Sequence, residues 1–117
     1  MRSLISTTVF IAFLFAGILP AAAGDAAAGE AKFKQLCATC HGPAGKGDGP
    51  AAAGLRPRPT DMSKSQWQES VDDEHIRTVT RDGGAAVGLS PMMTPWGHAL
   101  SEEDLDNLVA YIRGLAD

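Results

Sequence analysis

Three things are scarce in this chain: charge of one dominant sign, strand-forming stretches and cysteine. Ten Lys+Arg stand against 14 Asp+Glu, a net charge of −4, with no basic block anywhere. That balance argues against nucleic acid or an acidic membrane surface as partner, and is compatible with a docking partner that has a basic face. No segment alternates apolar and polar residues with period two, and no internal repeat is visible, so a sheet is not expected. The only cysteines are Cys37 and Cys40. Two thiols cannot supply a four-cysteine zinc site, and a mixed site would need His75 or His98 at an unsuitable spacing.

One long apolar run is present. Arg2, the stretch from Leu4 to Leu19 and the small residues Ala21, Ala22 and Ala23 have the order of a secretory signal peptide. The run falls short of the roughly 20 residues a spanning helix wants, so cleavage is expected over retention as an anchor. The expected division is a signal peptide over 1–23 and one domain over 24–117. Loss of Arg2 takes the net charge from −4 to about −5. No cysteine follows the cleavage region, which gives no support to a lipid anchor.

The mature part carries one decisive pentapeptide, Cys37-Ala38-Thr39-Cys40-His41. Residues at i, i+3 and i+4 share a helical face. Both sulfurs can therefore form thioethers to one edge of a porphyrin while the imidazole reaches its iron, the attachment pattern of c-type haem. A thioredoxin-like thiol pair would need alternating strands and helices around it, and a plain disulfide of so short a span would stabilise little.

Periodicity predicts a short helix over 30–40, with Phe33, Leu36, Cys37 and Cys40 on its buried face, after an Ala- and Gly-rich lead-in at 25–29. From 41 to 61, Gly and Pro recur too often for regular structure, and a loop of that length in a small domain is usually functional. A helical turn with Trp67 as anchor is expected near 65–71. A helix follows from an Asp72 or Asp73 cap to Asp82, with Ile76 and Val79 inward and Gly83 or Gly84 as its stop. Residues 84–99 read as irregular. Ser101 opens the last helix, with Glu102, Glu103 and Asp104 where the helix dipole favours them. Leu105, Leu108, Val109, Ile112 and Leu115 form its apolar stripe. The fold class is all-α: three or four helices and two long loops wrapped around one haem.

Iron held by His41 alone would keep an open position, which electron carriers close with a thioether. Met92 and Met93 lie between Pro91 and Pro95, in a loop those prolines stiffen. They sit on neither a helical nor a strand stripe, which disfavours plain core filling.

Cys37-Ala-Thr-Cys-His41-Gly-Pro-Ala-Gly-Lys-Gly-Asp-Gly-Pro50, Met93-Thr-Pro-Trp96-Gly97 and the closing segment from Ser101 to Arg113 together resemble the class I mono-haem c-type cytochromes of bacteria, close to those like the c subunits of cbb3 oxidases. The resemblance spans nearly all of the mature chain. It implies a small cytochrome c fold with one covalent haem c on Cys37 and Cys40. It also implies His41 and Met93 as axial ligands, with Met92 the alternative because Thr94 stands where the family usually has proline. It further implies that first and last helices cross, Gly29 permitting close approach and Phe33 packing on Leu108 and Tyr111. By the same resemblance a loop proline carbonyl, from Pro50, Pro57 or Pro59, is expected to accept a hydrogen bond from the ligand histidine. Trp67 and Trp96 serve as pocket walls, and Arg56 or Arg58 could neutralise a haem propionate. His75 is expected in solvent, and His98 is a weaker rival ligand.

The expected function is a periplasmic one-electron carrier, monomeric or part of a complex, meeting redox protein partners and making no stable membrane insertion after signal cleavage. No bond-making on a substrate is implied. Two other readings are kept: the haem subunit of a periplasmic dehydrogenase or oxidase complex, and a gas-binding protein with an open iron.

Overall fold

Asp25 starts the first helix. Its carboxylate accepts the backbone N–H groups of Ala27 and Ala28 at 2.9 and 3.2 Å, satisfying donors that a helix start leaves unpaired. The computed structural model describes residues 24–117, so the expected signal peptide over 1–23 lies outside the described residues. Helix α1 (Ala26–Leu36) begins four residues before the sequence expectation, because the alanines read as a lead-in are strong helix formers once capped. It also ends sooner. Cys37 is stretched to φ −112° within the right-handed helical region, and a separate turn, α2 (Ala38–His41), starts from its carbonyl, which accepts from Cys40 and His41 at 3.2 and 2.9 Å. Gly42, at φ +80°, terminates that turn.

Residues 42–61 contain only a 3₁₀ turn at Ala52–Gly54 and fold back onto α2: the N–H groups of Gly47, Gly49 and Ala51 donate to the carbonyls of His41, Cys40 and Thr39. Short α3 (Ser65–Ser70) precedes α4 (Asp73–Asp82), whose Asp72 cap accepts from His75 N–H at 2.7 Å. Helix α5 (Glu102–Arg113) opens with a reciprocal capping box between Ser101 and Asp104, each bond 3.0 Å. Among the described residues there is no strand, and no helix is long and apolar enough to cross a membrane.

The core is the crossing of α1 and α5. A Cβ on buried Gly29 would collide with the backbone carbonyl of Asn107, so glycine alone allows this approach. Asn107 fixes the crossing by accepting the Asp25 N–H at 2.7 Å. Phe33 is fully buried, in one apolar cluster with Leu108, and its ring lies 5.1 Å from that of Tyr111 at 57°. Burying such a ring stabilises by about 3 kcal/mol.

A second tie joins α5 to the segment that carries Trp67. Gln68 Nε2 donates to the carbonyls of Met62 and Ile112, both at 2.8 Å. Arg113 in turn donates to the carbonyls of Gln68 and Val71 and to the Asp73 carboxylate, each at 2.7 Å. Two side chains thus pin residues 62–73 along α5.

Candidate functional site

Beside this core lies an apolar cleft of about 220 Å³. Phe33, Leu36, Cys37, Cys40 and His41 form one side of its lining. The loop from Leu55 to Thr60, Trp67, the inner face of α4, and Leu89 to Trp96 supply the rest. All five residues singled out in the sequence, Cys37, Cys40, His41, Met92 and Met93, therefore meet in one cavity.

Both thiols are free. Burial, with a smaller contribution from Cys40, pushes the Cys37 thiol up to about 12. A disulfide oxidoreductase needs the opposite, a depressed thiol that is ionised near neutrality. Among the described residues no three of His, Cys, Asp and Glu gather as a metal-binding group, so the zinc reading has no ligand set.

Burial lowers the pKa of His41, against the raising effect of its bond to Thr60, so the ring is neutral near pH 7. Nδ1 lies 3.3 Å from the Thr60 carbonyl. A carbonyl only accepts, so Nδ1 carries the proton and Nε2 keeps its lone pair. The expected acceptor was the carbonyl of Pro50, Pro57 or Pro59; it is Thr60 instead. The Pro59 carbonyl abuts Gly47, where a Cβ would strike it. The carbonyl one residue on, that of Thr60, is the one that faces His41. The adjacent prolines hinted at the segment but not at which of its carbonyls turns inward.

The methionine segment hangs from α4. Gly84 N–H donates to the Met93 carbonyl at 2.8 Å, Trp96 N–H to Thr80 at 2.9 Å, and Gly97 N–H to Arg81 at 3.0 Å. These bonds compensate for the constraint that Thr94 does not provide. Met93 is half-buried, whereas Met92 is 60% exposed at the mouth.

Both tryptophans line the cleft, as expected. His98 does not; it is exposed and stacks on Trp96, with centroids 6.2 Å apart. His75 departs from expectation, being half-buried and part of the lining. The pairs 75/79 and 76/80 both face inward, an arc broader than the Ile76–Val79 stripe suggested. The arginines separate: Arg58 borders the cleft, while Arg56 donates to the carbonyls of Ala53 and Leu55 in its own loop. Leu89 and Met62 also line it and carried no sequence signal beyond being apolar.

Fold and cleft are those of a c-type cytochrome. The chain belongs to the family described as cytochrome c oxidase, cbb3-type, subunit III, whose model matches residues 24–112. It is 37% identical over 89 residues to cytochrome c-554(548) of Halomonas halodenitrificans, covering 76% of this chain and 94% of that protein. Cytochrome c-554(547) of Halothiobacillus neapolitanus is 37% identical over 95 residues, covering 80% and 99%. Cytochrome c2 of Blastochloris viridis is 36% identical over 115 residues, covering 86% and 85%. Among solved structures, the KustC0563 c-type cytochrome superposes with a TM-score of 0.63 at 29% identity, covering 76% of this chain and 98% of that one. As a family member the chain binds haem c covalently and is an electron-transfer protein, not an enzyme in its own right.

Proposed function

We propose that the chain is a periplasmic one-electron carrier in which Cys37 and Cys40 hold the haem by thioethers while His41 and Met93 ligate its iron. The carrying observation is the convergence of these four side chains on one apolar cleft, with the His41 tautomer fixed by Thr60. The donor set fits the group: two free thiols one helical turn apart, an imidazole with an available lone pair, and a half-buried thioether. Haem, when bound, supplies a one-electron iron couple whose potential a thioether ligand raises.

The protein's own part is positional. Thr60 keeps the His41 ring oriented and its Nε2 basic. The staples to Thr80 and Arg81 hold the methionine segment, and Trp67, Ile76 and Trp96 keep water from the cleft. Met93 is favoured over Met92 by its deeper burial.

The family description names an oxidase subunit, which supports the second reading, a haem subunit of a larger complex. The c-554 relatives are named simply as cytochromes, with no complex in the name, which supports the free carrier. Met93→Ala should abolish the absorbance band of methionine bound to ferric iron, and Met92→Ala should leave it. Persistence of the band in Met93→Ala refutes the ligand assignment. For localisation, periplasmic fractions should yield a mature chain beginning at Gly24 with the mass of one added haem.

A further inference from the structure

His75 is a titratable group in the cleft wall that neither the thioethers nor the iron ligands use. It stands half-buried on the inner arc of α4, with Ile76, Val79 and Thr80. A fully exposed imidazole would be screened from the iron, and a fully buried one would stay neutral in either oxidation state. Half-burial lets the ring sense the iron and still exchange a proton with water. Few other charges face it. Across the cleft stand Cys37, Cys40, His41 and Arg58, while Trp67, Ile112 and the segment from Leu89 to Trp96 add none. With both thiols in thioethers and His41 on the iron, only Arg58 is left, and its charge is the same in both oxidation states. The neighbouring carboxylates are engaged elsewhere. Asp72 accepts the backbone N–H of His75, Asp73 faces Arg113, and Glu74, Glu102 and Asp106 face Arg77; Glu69 of α3 is exposed.

We infer, on the carrier reading proposed above, that His75 takes up a proton when the iron is reduced, which makes the reduction potential of this chain pH-dependent. One electron arrives from the redox donor and stays on the iron. One proton arrives from water at the unprotonated ring nitrogen of His75, and no other bond forms or breaks. Reduction removes one positive charge from the cleft, so an imidazolium beside it is repelled less and the ring holds its proton more tightly. Linkage requires the reverse as well: a protonated His75 favours the reduced state, so the potential falls as pH rises. For unit charges on the order of 10 Å apart at an effective dielectric of about 20, Coulomb's law gives about a tenfold change in proton affinity.

Potentiometry of the holoprotein from about pH 5 to about pH 8 tests this, an interval in which histidine alone among unperturbed side chains changes charge. The wild-type potential should fall by about 59 mV in all, a tenfold linkage converted for a one-electron couple. His75→Gln should hold the potential near the wild-type high-pH value throughout, and His75→Lys near the low-pH value. Proton NMR of the wild type reads the same site without substitution. The His75 ring protons should titrate at higher pH in the ferrous than in the ferric protein, whereas those of His98, outside the cleft, should titrate alike in both. A potential that falls equally in His75→Gln assigns the proton to the haem carboxylates or to His98 and overturns the inference. So does a His75 titration indifferent to oxidation state. Either result leaves the carrier reading intact, since the absorbance band in Met93→Ala tests that separately. A holoprotein without a reversible one-electron couple overturns both.

Discussion

Gly29→Ala sets two known effects against each other. In an exposed helix the change would stabilise by about 1 kcal/mol, because alanine restricts the unfolded chain and favours the helix. Here the new Cβ would fall on the backbone carbonyl of Asn107 and press on Tyr111 Cβ. Asn107 is held in turn, because its side chain accepts from Asp25. A carbonyl within α5 cannot swing aside as a flexible side chain would, so α1 must lift off and uncover Phe33. Overpacking of this kind costs about 3 kcal/mol, toward the upper end of its usual range. The net expectation is a loss of about 2 kcal/mol, a fall in melting temperature on the order of 10 °C for a domain of this size. Thermal and denaturant unfolding of the holoprotein measure it. Ala31→Gly, at an exposed position of the same helix, provides the scale: it should cost about 1 kcal/mol through propensity alone. If Gly29→Ala raises the melting temperature, the close crossing of α1 and α5 is wrong.

Phe33→Ala should lose about 4 kcal/mol, and Phe33→Leu markedly less, since the fully buried ring has no space to relinquish; equal costs in denaturant titrations would contradict the packing. Arg113→Met should cost about 1–3 kcal/mol by leaving the carbonyls of Gln68 and Val71 without donors. Hydrogen exchange should quicken at α3 before it does at α1, and uniform quickening would argue against the tie. The N–H of Ser101 chiefly, and Lys32 less, hold the Asp104 carboxyl below the ordinary range. Its folded pKa is thus depressed, so its contribution is complete above the unfolded value near 3.9 and fades as pH falls through the folded one. Asp104→Asn should flatten the acid limb of stability in that window, and an unchanged limb counts against the capping box.

Helices with local punctuation were legible in the sequence. Asp72 and Gly83 bracket α4, and Ser101 with Asp104 opens α5, because capping groups act within one turn and leave a trace in residue type. The all-α architecture and the crossing at Gly29 and Phe33 were legible too, the latter through the family resemblance. The break at Cys37 was not, since neither glycine nor proline marks it and it depends on where α2 begins. The His41 partner was misjudged by one residue for a tertiary reason: the Pro59 carbonyl abuts Gly47, and it is the Thr60 carbonyl that reaches the ring. His75 was misplaced because the inward arc of α4 follows the width of the cavity, which no single helix encodes.

The attachment of Trp96 and Gly97 to the last carbonyls of α4 has a dynamic corollary. While that helical end stays wound, the backbone that carries Met93 is held beside the cavity. Under the proposed Met93 ligation, strong alkali or heat that frees the thioether should melt the final turn around Thr80 and Arg81 in the same cooperative step. Detachment and fraying would then share one midpoint, whichever of the two is monitored.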